Sequence, residues 1–313
     1  MTTREVEHEI TIDAPAETVY RLLADVDHWP RIFPPTIHVE QEQTGEHRER
    51  IRIWATANGE PKTWTSRRTL DPATLRIVFR QEVTTPPVAA MGGTWIIEPR
   101  GTSSRVRLLH DYRAIDDDPQ GLEWIDRAVD TNSRSELAAL KENVESAHLA
   151  EAEELVFSFT DTLEVAGAVK DVYDFVNEAA LWPERLPHVA SVHFDEPSPG
   201  LQTLAMDTRA KDGSVHTTKS YRVTFPPYKI AYKQVTLPAL MTLHTGVWTF
   251  TDTGRGTTEA GSQHTVSINT ANIARILGDR ATVADARDYV HAALSTNSRA
   301  TLGHARDYAE RKN

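Results

Sequence analysis

The chain has 313 residues, 39% of them hydrophobic and 25% charged, with a net charge of −11 and no cysteine. This is ordinary globular composition with length for two domains, so collagenous, coiled-coil and disordered classes are excluded, as are disulfides, thiolate zinc sites and cysteine nucleophiles. Acidity in both halves makes a nucleic-acid partner unfavourable, and neither a signal peptide in the opening MTTREVEHEI nor an apolar run near the ~20 residues of a membrane helix is present, so a cytoplasmic protein with no membrane partner is expected.

Residues 5 to 12 alternate polar and apolar, which predicts a strand. Pro15 opens a short helix with Val19, Leu22 and Leu23 on one face, and Trp29-Pro30 marks a second short helix or turn. Five or six strand-like runs follow. One is 49 to 57, with Ile51, Ile53 and Ala55 on one face, and Asn58-Gly59 after it is a hairpin dipeptide. Asp116-Asp117-Asp118 before Pro119 reads as a loop and helix start. A long helix is predicted over roughly 119 to 148, where Leu122, Ile125, Val129, Leu137, Leu140 and Val144 keep helical spacing.

The same order then recurs. Val19-Tyr20 and Trp29-Pro30 return 153 residues later as Val172-Tyr173 and Trp182-Pro183. Ser66, Arg68, Pro72 and His110 return 154 residues later as Ser220, Arg222, Pro226 and His264. Trp95 returns as Trp248, and Thr131-Asn132-Ser133-Arg134 returns verbatim as Thr296-Asn297-Ser298-Arg299. Asp212-Gly213 is the hairpin dipeptide of the second copy. A period near 150 is too long for a solenoid unit, so two complete α+β domains are expected, 1–150 and 151–313. A single curved antiparallel sheet must bury one face, and a long amphipathic helix laid across it leaves a cavity, the helix-grip architecture. The junction 146–154 lacks Pro and Gly, so the first long helix is expected to continue into it.

Strand alternation tests which side chains share a cavity wall. Trp64, Ser66, Arg68 and Leu70 share one face; His110 shares parity with Val106, Leu108 and Tyr112; Gly93, Trp95 and Ile97 form a third wall. The second copy places His216, Thr218, Ser220 and Arg222 together, then His244, Gly246, Trp248 and Phe250, then His264, Val266 and Ile268. An inward arginine is costly to bury unless it is paired or faces a polar ligand. A structural ion pair, a satisfied core histidine and a packing tryptophan are the plain alternatives at each position taken alone. Asn132 and Asn297, near the apolar stripe of each long helix, either reach the cavity as substrate-binding residues or tie helix to sheet.

There is no nucleophile elbow, phosphate loop or zinc-protease motif, Gly254-Arg-Gly256 looks like a hairpin loop, and the 13 histidines show no metal-ligand spacing. No cofactor and no metal are expected.

At these residues the chain resembles the di-domain aromatase/cyclases of bacterial type II polyketide synthases, in the helix-grip superfamily shared with START lipid carriers and Bet v 1 proteins. The carriers of the resemblance are Ala14-Pro15 with Val19, Trp29-Pro30 with Phe33, Trp64-Thr-Ser-Arg-Arg68, Gly-Thr-Trp95, His110 and Thr131-Asn-Ser-Arg134, and it spans essentially the whole chain. One departure is Pro34-Pro35-Thr36, where single-domain relatives often carry an acid and a tyrosine.

The resemblance implies a poly-β-ketone held as a phosphopantetheine thioester on an acyl carrier protein, other synthase components as partners, and intramolecular aldol closure of a ring followed by dehydration and aromatisation. It implies pocket roles for Ser66, Arg68, Trp64, Trp95, Trp29 and His110, and for Ser220, Arg222, Trp248, Trp182 and His264; His244 joins these from its shared wall. A methylene between two ketones is acidic enough for a histidine base, and a fixed guanidinium polarises the acceptor ketone and holds the developing oxyanion. The first copy, with its full Trp64, Ser66, Arg68 face, is the expected ring-forming pocket. The alternative is a non-catalytic tandem carrier that shields a polyketide or lipid. Arg48, Arg50 and Arg52, or Arg67 with Lys62, are the candidates for a basic carrier-docking patch; the alternative for both groups is a solvated strand face.

Overall fold

The structure is a computed structural model; it describes residues 3–146, 155–209 and 215–312. The chain divides into two compact units, residues 1–149 and 150–313. The expected helical junction and the Asp212-Gly213 turn lie outside the described residues.

In the first unit, strand β1 (Arg4–Ile12) leads into helix α1 (Ala16–Ala24), with Pro15 at its N-cap, and a short helix α2 (Trp29–Ile32) follows. Six strands come next: β2 (Thr36–Gly45), β3 (Arg48–Ala57), β4 (Glu60–Asp71), β5 (Arg76–Val83), β6 (Val88–Arg100) and β7 (Ser103–Ala114). They form one seven-stranded sheet in the order β1-β7-β6-β5-β4-β3-β2, every ladder antiparallel. Asn58 (φ 51°) and Gly59 (φ 79°) make the β3–β4 turn with both central residues left-handed, as a two-residue hairpin needs.

Helix α3 (Pro119–Ser146) packs its Ile125, Val129, Leu137, Leu140 and Val144 stripe against β1, β7, β6 and β3. Its start is fixed by the Asp118 carboxylate, which accepts from the Gly121 amide at 2.7 Å.

The second unit repeats the plan: β8 (Val156–Val165), α4 (Val169–Asn177), α5 (Trp182–Arg185), β9 (Val189–Ser198), β10 (Leu201–Arg209), β11 (Val215–Phe225), β12 (Lys229–Thr236), β13 (Met241–Asp252) and β14 (Thr258–Ile268). The sheet order, β8-β14-β13-β12-β11-β10-β9, is the first sheet's order again. A one-turn helix α6 (Ile273–Leu277) precedes the long α7 (Val283–Glu310), whose first turn is closed by a Thr282–Asp285 capping box. Both units are thus the α+β helix-grip fold. Gly254 and Gly256, both at positive φ, form the β13–β14 hairpin loop. Among the described residues, no helix is long and apolar enough to cross a membrane.

Candidate active site

The first sheet and α3 enclose a cavity of about 710 Å³, open mouth included. Its walls carry Trp29, Trp64, Ser66, Arg68, Trp95 and His110, with Thr36, Phe79 and Glu136 beside them. Trp64, Ser66 and Arg68 stand together, as strand parity predicts, and His110 and Trp95 line the same hollow.

Arg68 is 1% exposed. One nitrogen, Nη2, donates to the Leu23 and Ala24 carbonyls at 3.2 and 3.0 Å, which are unsatisfied C-terminal carbonyls of α1. Its Nε lies 3.0 Å from Glu49 Oε1, an ion pair across the β3–β4 ladder. The Trp29 ring centroid is 5.0 Å from the guanidinium carbon. The remaining nitrogen, Nη1, is buried without a hydrogen-bond partner. Burial lowers the Arg68 pKa to about 10 while Glu49 draws it upward, so the group is still cationic at neutral pH.

Burial, with His8 adding to it, lowers His110 to about 4, so the ring is a neutral imidazole at neutral pH. Its Nδ1 is buried and unpartnered, and its ring lies 5.5 Å from Phe79, edge to face. Glu136, on α3, is a functional candidate absent from the motif reading. Burial alone raises its pKa to about 8, so the carboxyl is largely protonated at neutral pH and is a proton donor inside the cavity. The signal was an acid seven residues after Val129, on the apolar stripe itself.

The second cavity measures about 750 Å³ on the same basis and is lined by Trp182, Thr218, Ser220, Arg222, Tyr232, His244, Trp248, His264, Asn297, Ser298 and Thr301, among others. Arg222 repeats the helix contact of Arg68: Nη2 donates to Val176 O at 2.8 Å and Nη1 to Asn177 O at 3.5 Å. Trp182 lies beneath it at 5.4 Å, and burial lowers its pKa to about 10.

The histidines of this cavity form a chain. Ser298 Oγ is 2.7 Å from His264 Nε2, His264 Nδ1 is 2.9 Å from His244 Nε2, and His244 Nδ1 is 2.8 Å from Gln234 Oε1. With Gln234 accepting from His244, one proton arrangement satisfies the whole line: Ser298 donates to His264, and His264 to His244. The Tyr232 hydroxyl sits 3.0 Å from His264 Nδ1. Burial lowers His244 to about 3 and His264 to about 4. Sequence reasoning placed both histidines on cavity walls but missed Tyr232 and Ser298.

The two asparagines divide between their alternatives, and His216 differs from expectation. Asn132 does not line the first cavity: its Nδ2 donates to Thr56 O at 2.9 Å, tying α3 to β3, whereas its copy Asn297 does line the second. On α3 it is Glu136, four residues on, that lines the hollow. His216 is exposed near the start of β11, beyond the cavity wall that Thr218, Ser220 and Arg222 share. The basic groups considered for docking are largely occupied. Arg50 and Arg67 both reach Glu82, at 2.8 and 3.4 Å, Lys62 pairs with Glu60 at 2.8 Å, and Arg52 stacks on Trp54 at 4.6 Å.

A family model described as "Polyketide cyclase / dehydrase and lipid transport" matches residues 3–145. The chain is 68% identical, over 96% of its length and 98% of the relative's, to the granaticin polyketide synthase bifunctional cyclase/dehydratase of Streptomyces virginiae. It is 46% identical, over 96% of its length and 95% of the relative's, to the actinorhodin polyketide synthase bifunctional cyclase/dehydratase of Streptomyces coelicolor. Among solved structures, the di-domain ARO/CYC BexL from the BE-7585A biosynthetic pathway superposes with a TM-score of 0.86 at 66% identity, covering 98% of this chain and 99% of that one. The di-domain ARO/CYC StfQ from the steffimycin pathway gives the same TM-score, 0.86, at 36% identity over 98% of this chain and 99% of its own.

Proposed function

The chain belongs to the di-domain aromatase/cyclases, the bifunctional cyclase/dehydratases of type II polyketide synthases, and from that premise we propose that its first cavity closes a ring and its second removes water. The substrate in this reading is a poly-β-ketone delivered as a phosphopantetheine thioester by an acyl carrier protein. The tryptophans fold the chain so that one methylene meets one ketone, and this orientation supplies most of the ring selectivity.

In the first cavity His110 Nδ1 takes the methylene proton, the new carbon–carbon bond forms, and the ketone oxygen is held by Arg68 Nη1 as it becomes an alkoxide. Glu136 gives that oxygen its proton, and the proton on His110 then returns to the Glu136 carboxylate, so both groups are restored. A carboxyl with a pKa of about 8 is well matched to this task, because proton-transfer catalysis is most effective near the working pH. In the second cavity the α-carbon gives up its proton and the C–O bond breaks as the C=C bond forms; the Ser298–His264–His244 line passes that proton to the departing hydroxyl, so water leaves and the line is restored.

One observation carries the reading. Arg68 Nη1 and His110 Nδ1, the atoms required to polarise the ketone and accept the proton, are both buried without a hydrogen-bond partner on residues that line one cavity. A carrier that only shields its cargo needs apolar walls, not a buried guanidinium and imidazole brought to one cavity.

The test is product analysis with a reconstituted synthase. Arg68→Ala is combined with Glu49→Gln, so that no buried carboxylate is left unpaired, and is compared with Arg222→Ala. Loss of the correct first ring is expected in the first variant, and accumulation of a cyclised, hydrated product in the second. If only Arg222→Ala destroys the ring pattern, the two assignments are reversed. Saturable binding of substrate with the spontaneous product distribution would establish the carrier instead.

A further inference from the structure

The two cavities share a shape but not a charge. In the first, Glu49 is directly opposite Arg68 in the β3–β4 ladder, and its carboxylate lies 3.0 Å from the guanidinium. In the second, the residue opposite Arg222 in the β10–β11 ladder is Gln202. The carboxylate has not disappeared but has changed places. Gln43, on the exposed part of β2, donates to Glu49 at 3.3 Å; the corresponding pair in the second unit is Gln202, buried, donating to the exposed Glu196 at 3.1 Å. Amide and acid are interchanged between the same two strand positions.

The consequence is electrostatic. Arg68 and Glu49, at 1% and 0% side-chain exposure, form a buried pair of zero net charge. Arg222 is as deeply buried, yet among the described residues no carboxylate lies within ion-pair distance of it; Glu196 acts only from beyond Gln202. A buried cation held by two backbone carbonyls and an aromatic face is costly unless a ligand completes it. The nearby histidines do not add a competing charge, since both are neutral imidazoles at neutral pH. Thr301, which stands where Glu136 stands in the first copy, brings no acid to the second cavity.

We propose that the second cavity is an anion site that holds the ketide as its enolate against Arg222, whereas the first cavity takes the ketide uncharged. This rests on the division of labour proposed above and deepens it, because an enolate is the species from which a β-hydroxyl departs. The ligand class is therefore β-diketonates and related enolates.

The test is binding without turnover, by calorimetry on the full chain. The probes are dimedone, an enolate at neutral pH, and its methyl enol ether, the neutral isostere. One enolate is expected to bind per chain, at least about tenfold more tightly than the ether. Gln202→Glu is expected to remove that preference by at least about tenfold, and Glu49→Gln to create a second enolate site on Arg68. Thermal melting checks that each variant is folded; should Gln202→Glu not fold, Glu49→Gln decides alone. Unchanged enolate affinity in folded Gln202→Glu, no second site in Glu49→Gln, or equal affinity for enolate and ether overturns the proposal. These outcomes are separate from the ring-pattern assay, which measures products and does not depend on which protonation state is bound.

Discussion

His244 Nε2 and His264 Nδ1 face each other at 2.9 Å with their rings stacked, 5.2 Å between centroids and 23° between planes. Only one proton fits between two such nitrogens, and burial holds His244 near 3 and His264 near 4. Both values lie below the ordinary 6.5, so in this range the unfolded chain binds protons that the folded chain refuses. Stability from this pair is fully present above about pH 6.5 and is lost as the pH falls toward about 4. Denaturant unfolding of wild type and His264→Gln across that range is expected to show a steeper acid decline in wild type; parallel curves would refute the linkage.

Glu136 carries the opposite sign. Its pKa is raised from 4.5 to about 8, so the folded chain keeps a proton that the unfolded chain releases. Stability from this group is present below about pH 4.5 and declines as the pH rises toward about 8. Glu136→Gln is expected to stabilise the first unit by about 1–2 kcal/mol at neutral pH, less than the full shift because the residue is only partly buried. The same variant is expected to lower the ring-closing rate about a hundredfold by removing the proton donor. Rate and stability moving in the same direction would contradict the role given to this carboxyl.

Removing the two arginines is expected to have unequal costs. Arg68→Ala leaves Glu49 buried and unpaired, a loss of about 3–5 kcal/mol, and Glu49→Gln added to it recovers part of that loss. Arg222→Ala strands no adjacent carboxylate and is expected to cost about 1–3 kcal/mol, the scale of its lost hydrogen bonds. Chemical denaturation of the three variants measures the difference, and equal costs would mean that Glu49 does not depend on Arg68.

Gly246 lets Tyr232 approach the histidine pair. A Cβ there would overlap the Tyr232 hydroxyl and come within 2.5 Å of Gln263 O. Gly246→Ala is expected to displace the phenol, lower the melting temperature by several degrees and shift the His264 ring resonances in NMR, while those of His110 stay in place. A silent substitution would show that the ring has room to retreat.

Much of this arrangement was legible in the sequence. Period-two alternation put Trp64, Ser66 and Arg68 on one wall because β4 is regular from Trp64 to Leu70 and buries one face. The repeat reduced two folds to one problem. What strand parity could not show was the partner of each polar group. Glu49 and Gln202 share the inward parity of β3 and β10, but their importance depends on which strand pairs with which, and that is fixed only by the sheet. Glu136 interrupts the apolar stripe of α3 with an acid, so apolar periodicity does not mark it. The choice between cavity and sheet stayed open for Asn132 because a residue at the margin of a helical stripe can turn toward either.

The tetrapeptide copied letter for letter between the long helices now makes unlike attachments. Asn132 holds a strand carbonyl while Asn297 borders a hollow; Arg134 bonds Asp130 one turn back on its own helix while Arg299 reaches Asp161 on β8; Ser298 touches His264. Since the letters are identical, their separate employments were dictated from outside the motif, by the strands beneath and by neighbours on the helix such as Asp130. Transplanting either tetrapeptide into the other half would alter nothing, so a designer wishing to retune one chamber without disturbing its twin should edit the residues around the motif, on strand and helix alike.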